Sequence, residues 1–145
     1  MDWTGGCLCG AIRYRVEGEP LWVAHCHCSM CRKQTGAAFG TYVGFLATAF
    51  QWTAGEATLY RSSDAVKRGF CPHCGSTLTF HRARETSLAL GSLDRPENLE
   101  VGAPRPEYQD GHIWTENQLP WLKIDDRLDR FLRFPPGRRK DSLGG

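Results

Sequence analysis

The chain has 145 residues, of which 41% are hydrophobic and 23% charged, as expected for a single globular domain with a modest core. Its net charge of +2 is too small to indicate a nucleic-acid partner or an anionic membrane surface. No apolar run approaches the roughly 20 residues of a transmembrane helix, and the N-terminal residues lack the pattern of a signal peptide. These features predict a cytoplasmic protein with no membrane partner.

Short strands are predicted for the first part of the chain. From Ile12 to Val16, apolar residues alternate with charged ones, the period of a half-buried strand. An apolar run at 21–24 leads into a cysteine-rich segment. Residues 29–35 predict a helical turn, with Ser29 as its N-cap.

The β pattern continues through the middle of the chain. Aromatic, small and β-branched residues predict a strand over 38–50, and a turn then separates it from a second strand at 57–61. Further strands are predicted at 77–80, 87–93 and 112–115. The sequence therefore predicts a mainly β domain built from many short strands.

Two segments near the C-terminus differ in composition from the rest of the chain. Acidic and basic residues mix over 125–130, which predicts a solvated, ion-paired face. Residues 135–145 contain Pro-Pro, Arg-Arg-Lys and Gly-Gly, so we expect a mobile tail there. Residues 1–134 are predicted to form one domain.

The seven cysteines divide into two pairs and a triplet. Without an export signal the chain should stay in a reducing compartment, where clustered cysteines are metal ligands more often than disulfides. The odd count also fits a division into four and three better than complete pairing. The pairs are Cys7/Cys9 and Cys71/Cys74, and the triplet is Cys26, Cys28 and Cys31.

The two pairs supply the four thiolates of a closed, structural zinc site. Gly75 follows the second pair and permits the tight turn that such a knuckle needs. A redox role for Cys71 and Cys74 is the alternative, but it leaves Cys7 and Cys9 unexplained.

The triplet supplies only three thiolates and leaves one zinc position open, which is the mark of a catalytic site. A substrate thiol that enters this position loses its proton, because coordination stabilises the thiolate. Such a site suits the making or breaking of a carbon–sulfur bond.

Other interpretations of the triplet stay open. His25 or His27 could close the site as a fourth ligand, although a side chain at His27 should point away from the metal and be solvated or hydrogen-bonded. The three cysteines could be metal-free reactive thiols. All seven could also serve one zinc region that acts in folding alone.

Residues beside the motifs are candidates for substrate contacts. Arg32, Lys33 and Arg68 could pair with substrate carboxylates, but each by itself is expected to be a solvated surface charge. Trp114 and Trp121 could line a pocket, and core packing is the default expectation for both.

The motifs, taken in order, resemble one enzyme family. The resemblance spans roughly residues 5–131 and is carried by six short motifs. They are Gly6-Cys7-Leu8-Cys9-Gly10, His25-Cys26-His27-Cys28-Ser29-Met30-Cys31-Arg32, Thr35-Gly36-Ala37, Arg68-Gly69-Phe70-Cys71-Pro72-His73-Cys74-Gly75-Ser76, Gly91-Ser92-Leu93-Asp94 and Leu119-Pro120-Trp121. They look like the glutathione-dependent formaldehyde-activating enzyme family, which includes centromere protein V.

The resemblance implies a mainly β fold of several short coiled antiparallel sheets around a structural zinc, with Cys7, Cys9, Cys71 and Cys74 as its ligands. It implies a second, catalytic and labile zinc at the triplet, where the thiol of glutathione binds. The implied reaction joins glutathione and formaldehyde to S-hydroxymethylglutathione, a carbon–sulfur lyase reaction in reverse.

The leading hypothesis is thus a zinc-dependent carbon–sulfur lyase that acts on a small thiol adduct through Cys26, Cys28 and Cys31. A non-catalytic zinc-stabilised binding module is the first alternative, suggested by the Cys71 knuckle and by the basic segment Arg138-Arg139-Lys140. A thiol or metal sensor, in which oxidation releases zinc, is the second.

Overall fold

The computed structural model describes residues 1–106 and 108–137. Within them the strands form two sheets, one of three strands and one of eight, which confirms the predicted mainly β fold. The strands are β1 (Asp2–Gly6), β2 (Arg13–Glu17), β3 (Trp22–Cys26), β4 (Gly40–Leu46), β5 (Phe50–Ala54), β6 (Thr58–Ser63), β7 (Val66–Phe70), β8 (Thr77–His81), β9 (Glu85–Ala89), β10 (Gly111–Ile113) and β11 (Asp129–Arg130).

The small sheet has the order β1-β2-β5, and the large sheet has the order β11-β10-β3-β4-β9-β8-β7-β6. Tyr14 and Val16 of β2 are fully buried, as their alternation predicts. They share one apolar cluster with Val43, Phe45 and Leu88 of the large sheet. The small sheet therefore packs against one face of the large sheet.

A second apolar cluster lies on the opposite face of the large sheet. Successive side chains of a strand point to opposite faces, and in β3 Val23 belongs to the first cluster whereas Trp22, Ala24 and Cys26 belong to the second. Strand β3 is consequently buried on both faces, and its end carries the first cysteine of the triplet.

The predicted helical turn is helix α1, Ser29–Thr35. Its N-cap is Cys28, so the prediction of Ser29 was wrong: the Cys28 sulfur accepts a hydrogen bond from the Cys31 amide at 3.3 Å. Gly36 ends the helix in the left-handed conformation, with φ 70°, and donates its amide to the Arg32 carbonyl at 2.8 Å. The Cys28 cap places the Cys28 and Cys31 sulfurs, at the two ends of the first helical turn, close to each other.

Several elements differ from the sequence-based expectations. The strand expected over 38–50 is divided by a 3-10 turn at Ala47–Ala49, and β4 and β5 join different sheets. Strand β10 pairs in parallel with both β3 and β11, whereas antiparallel sheets were expected. Within the predicted tail, residues 138–145 lie outside the described residues.

None of the described helices is both long and apolar enough to cross a membrane.

Candidate active site

Two turns bring four cysteine sulfurs together, one after β1 and the other after β7. Cys7 and Cys9 lie between β1 and β2, whereas Cys71 and Cys74 lie between β7 and β8. The Sγ atoms of Cys7 and Cys9 are 3.5 Å apart, and those of Cys9 and Cys71 are 3.8 Å apart. Gly75 has φ 79° and donates its amide to the Cys71 carbonyl at 2.8 Å, as expected for a knuckle turn.

These four sulfurs fit a tetrahedral zinc ion. Zinc–sulfur bonds of about 2.3 Å place neighbouring sulfurs of a tetrahedron about 3.8 Å apart, close to the Cys7–Cys9 and Cys9–Cys71 distances. The Ile12 amide donates to the Cys7 sulfur at 3.2 Å. A hydrogen bond with the Ser76 hydroxyl lowers the pKa of Cys74 to about 5, which favours the thiolate that a metal binds.

The cysteine triplet forms a second cluster on the opposite face of the large sheet. Cys26 ends β3, Cys28 caps α1 and Cys31 lies in the first helical turn. Their three sulfurs lie within 4.8 Å of one another. Cys26 and Cys31 are buried and Cys28 is half-buried. Close sulfurs of this kind could hold one metal ion.

Hydrogen bonding within the triplet separates the acidities of its thiols. Bonds from Cys26 and Cys31, together with the nearby positive charge of Arg68, lower the pKa of Cys28 to about 2. The same contacts, together with burial, raise the pKa of Cys26. The cluster therefore favours a thiolate at Cys28, the least buried of the three cysteines.

No histidine completes this cluster within the described residues. His27 is fully buried, and its Nε2 lies 2.9 Å from Nδ1 of His112, so it is hydrogen-bonded as predicted. His25 directs Nδ1 to the Thr41 hydroxyl at 2.7 Å. The described part of the chain thus offers three sulfur ligands here, and the suggestion of a closing histidine is not supported.

All three sulfurs line a cavity of about 780 Å³. Drug-sized ligands occupy pockets of roughly 300–1,000 Å³, so the space suits a small organic substrate. Its walls combine the aromatic residues Phe80, Trp114 and Phe134 with arginine side chains. The prediction that Trp114 lines a pocket agrees with this position, whereas Trp121 is 70% exposed and the core expectation for it was wrong.

Arg68 is the main correction to the predicted surroundings of the triplet. It was expected to be a solvated surface charge, yet it is only 5% exposed. Its guanidinium lies 3.8 Å from the Cys31 sulfur and donates to the Gln34 side-chain oxygen at 3.3 Å. It also stacks over the Phe80 ring at 4.5 Å. The pairing of β7 with β8 places it there, since Arg68 is opposite Phe80.

Arg82 is a second cavity residue, and the sequence analysis did not identify it. Its guanidinium also lies 4.5 Å from the Phe80 ring centre. One terminal nitrogen is buried and has no hydrogen-bond partner among the described residues. Burial lowers the pKa of Arg82. A guanidinium at a cavity wall is suited to bind an anionic group.

The remaining candidates next to the motifs have other positions. Arg32 donates to the backbone carbonyls of His27 and Asn117 at 2.6 and 2.7 Å, a structural role, and Lys33 is exposed as expected. Asp126 was placed on a solvated face, but it accepts a hydrogen bond from His112 Nε2 at 2.7 Å. Its side chain is nevertheless 37% exposed, as predicted, and its partner is His112 rather than a neighbouring arginine.

Comparison with the sequence models of protein families identifies the family of this chain. The sequence model of a family described as glutathione-dependent formaldehyde-activating enzyme matches residues 2–117. The chain belongs to this family. The resemblance of its cysteine motifs to the formaldehyde-activating enzymes is thereby confirmed.

Two relatives are similar to this chain, one over most of its length and the other over about half. A Halomonas elongata protein, whose name includes the words glutathione-dependent formaldehyde-activating enzyme, is 30% identical over 143 residues, covering 90% of this chain and 87% of the relative. An uncharacterized lyase of Schizosaccharomyces pombe is 32% identical over 81 residues, covering 54% of this chain and 57% of that protein.

A solved structure supports the fold of this family member. The crystal structure of a Rhodobacter sphaeroides protein, a Northeast Structural Genomics target, is similar with a TM-score of 0.52 and 25% identity. The match covers 63% of this chain and 87% of that one.

Proposed function

We propose that the protein is a zinc-dependent enzyme that makes or breaks the carbon–sulfur bond of a small thiol adduct. The observation that carries the proposal is the group of three cysteine sulfurs that opens onto the cavity. The reaction we favour is the one in the family's name, the addition of glutathione to formaldehyde to give S-hydroxymethylglutathione.

Two zinc ions per chain fit the two cysteine clusters. Cys7, Cys9, Cys71 and Cys74 would hold a structural ion, since four thiolates close its coordination shell. Cys26, Cys28 and Cys31 would hold the catalytic one. When bound there, zinc would offer its fourth position to the substrate sulfur and favour the thiolate over the thiol.

Arg68 supports the triplet electrostatically. Three thiolates around one divalent cation carry a net charge of −1, and this charge is largely removed from water by the burial of Cys26 and Cys31. A buried guanidinium 3.8 Å from the Cys31 sulfur offsets that charge. Arg68 would therefore keep the three cysteines ionised.

Arg82 would orient the substrate from the cavity wall. Glutathione carries two carboxylates, and a guanidinium binds a carboxylate through two parallel hydrogen bonds. Arg82 lines the cavity, so a substrate carboxylate would pair with the part of its guanidinium that faces the cavity. Such a contact would direct the thiol end of the substrate toward the triplet.

Formation of the carbon–sulfur bond then needs few further protein side chains. The sulfur electron pair forms a bond to the formaldehyde carbon, and the carbon–oxygen π pair moves to oxygen, which takes up a proton. The thiol proton leaves to solvent when the thiolate forms. The aromatic walls exclude part of the water from the cavity and so strengthen the electrostatic contacts inside it.

The test compares Cys28→Ser with Met30→Leu, a control on the same helix that also lines the cavity. Glutathione and formaldehyde combine without a catalyst, so the rate of exchange between free and adduct forms is measured by NMR at equilibrium. We expect the wild type and Met30→Leu to accelerate the exchange and Cys28→Ser to lose the acceleration, with an unchanged circular dichroism spectrum. Equal acceleration by Cys28→Ser, or none by the wild type, would contradict the proposal.

The two alternative functions have less structural support than the proposed enzyme activity. The basic segment Arg138-Arg139-Lys140 that suggested a binding module lies outside the described residues. A nucleic-acid ligand would reveal itself by an affinity that falls steeply with salt. The sensor hypothesis uses the same triplet and predicts zinc release on oxidation without turnover.

A further inference from the structure

A third cluster of potential metal ligands lies on the other face of the large sheet from the triplet. His25 of β3 and His112 of β10 are directly opposite each other in the parallel register. Cys26 and Ile113, one position later on each strand, point to the cavity side. The two histidines therefore project away from the cysteine triplet, although they share its strands.

A carboxylate completes this cluster. One ligand atom each from His25, His112 and Asp126 lies within 4.8 Å of the other two. Asp126 Oδ2 is 2.7 Å from His112 Nε2, and the two imidazole rings are 4.7 Å apart with an angle of 32° between their planes. Two nitrogen donors and one oxygen donor thus converge on one small volume.

Each of the three side chains is held by another hydrogen bond. His25 Nδ1 contacts the Thr41 hydroxyl at 2.7 Å, which leaves Nε2 without a hydrogen bond in the described part of the chain. His112 Nδ1 contacts His27 Nε2 at 2.9 Å. The Leu128 amide donates to Asp126 Oδ1 at 3.1 Å. Metal-binding histidines almost always use their second nitrogen in this way, because the contact fixes the ring and its tautomer.

The cluster is open on one side. His112 is fully buried and His25 half-buried, whereas the Asp126 side chain is 37% exposed. An ion could enter past the carboxylate and take the place of the proton between His112 Nε2 and Asp126. Water would fill the remaining positions of its coordination shell.

We propose that His25, His112 and Asp126 form a binding site for a divalent first-row transition-metal ion, separate from both cysteine clusters. Imidazole donors favour such ions over magnesium and calcium, which prefer oxygen ligands. Two histidines and one carboxylate with open positions form a common set for these ions. The ion would tie β3, β10 and the loop of Asp126 together.

The test uses Co²⁺ as the probe and Asp126→Asn as the variant. Protein as purified is equilibrated with Co²⁺, and total zinc plus cobalt per chain is measured by mass spectrometry. We expect wild type to hold one more ion per chain than Asp126→Asn. Asp125→Asn removes the same charge from the neighbouring exposed residue and should keep the wild-type count. Equal counts in wild type and Asp126→Asn would overturn the proposal.

A second measurement locates the ion even if Asp126→Asn disturbs the fold. Co²⁺ is paramagnetic, so it broadens or shifts the NMR signals of the rings that bind it. In wild-type protein first loaded with two equivalents of zinc, which occupy the cysteine clusters, we expect these changes at His25 and His112 and not at the exposed His73. Changes confined to His73, or unperturbed signals of His25 and His112 at saturating Co²⁺, would show that the Asp126–His112–His27 contacts are a hydrogen-bond chain alone.

Discussion

The guanidinium of Arg68 lies 3.8 Å from the sulfur of Cys31, and both side chains are buried beside the cavity. Burial of a positive charge is costly unless an anion accompanies it. The pair places a buried positive charge beside the triplet, and this supports our proposal that the three cysteines bind a metal as ionised ligands. Arg68 also contacts Gln34, which fixes the guanidinium against helix α1.

We expect Arg68→Met to lower kcat/KM by roughly 10- to 150-fold, since hydrogen bonds to charged groups contribute about 1.5–3 kcal/mol. Methionine keeps an apolar stem of similar length against Phe80, so the fold should persist. Arg68→Lys retains the charge without the planar fork and should recover part of the loss. Steady-state kinetics and the zinc content of each variant provide the measurement. Wild-type kinetics in Arg68→Met would contradict a role for this charge.

Arg82→Gln should weaken the binding of thiols that carry a carboxylate. Arg82 carries a positive charge at the cavity wall, and a substrate carboxylate would pair with it there. We expect KM for glutathione to rise about tenfold, equivalent to roughly 1.4 kcal/mol, while kcat/KM for 2-mercaptoethanol stays unchanged.

Arg84→Gln is the matched control for this experiment, because Arg84 is exposed and does not line the cavity. It should leave both substrates unaffected. An equal change for glutathione and 2-mercaptoethanol in Arg82→Gln would mean that the residue supports the cavity and does not recognise the carboxylate.

The sequence predicted the parts of the structure that depend on local pattern. The alternation from Ile12 to Val16 identified a buried strand face, and the spacing within each cysteine group identified the turns that bring sulfurs together. Strand β1 was missed because its two glycines lower strand propensity. A Cβ at Gly5 would overlap the Tyr14 hydroxyl and the Ser92 carbonyl oxygen, so the fold requires the glycine that hides the strand.

The sequence did not predict contacts between residues that are far apart in the chain. Arg68 was predicted to be a surface charge because its burial depends on β8 and α1, which cover it only in the folded protein. His25 and His112 are 87 positions apart in the numbering, and only the parallel pairing of β3 with β10 makes them neighbours. Parallel pairing of this kind follows a long connection and leaves no local signal in the sequence.

Cys71→Ser should have a different effect from Cys28→Ser. Cys71 is fully buried, and its cluster joins the turn after β1 to the turn after β7. If zinc is bound there, its binding free energy contributes to folding, so loss of one ligand should release the ion and unfold the domain. Thermal unfolding followed by circular dichroism, with zinc counted before and after, is the measurement. A Cys71→Ser protein with wild-type Tm would show that this cluster is not needed for folding.

The buried ion pair between Arg105 and Asp110 gives a final prediction about stability. The two side chains are 8% and 1% exposed, and their closest nitrogen and oxygen are 3.0 Å apart. Asp110 also accepts hydrogen bonds from the amides of Val23 at 2.7 Å and Gly102 at 3.0 Å, so it fastens the loop before β10 to β3. Asp110→Asn would leave the Arg105 charge buried without a counter-charge.

We expect Asp110→Asn to lower the free energy of unfolding by about 3–5 kcal/mol, the usual result of breaking a buried pair. Asp94→Asn is the control, because the pair of Asp94 with Arg13 is more than a third exposed and should contribute at most about 1 kcal/mol. Urea unfolding of the three proteins, followed by tryptophan fluorescence, measures both changes. Since Asp110 anchors the segment that leads into His112, a loss as small as that of Asp94→Asn would mean that β10 is held in the sheet by its strand pairing alone.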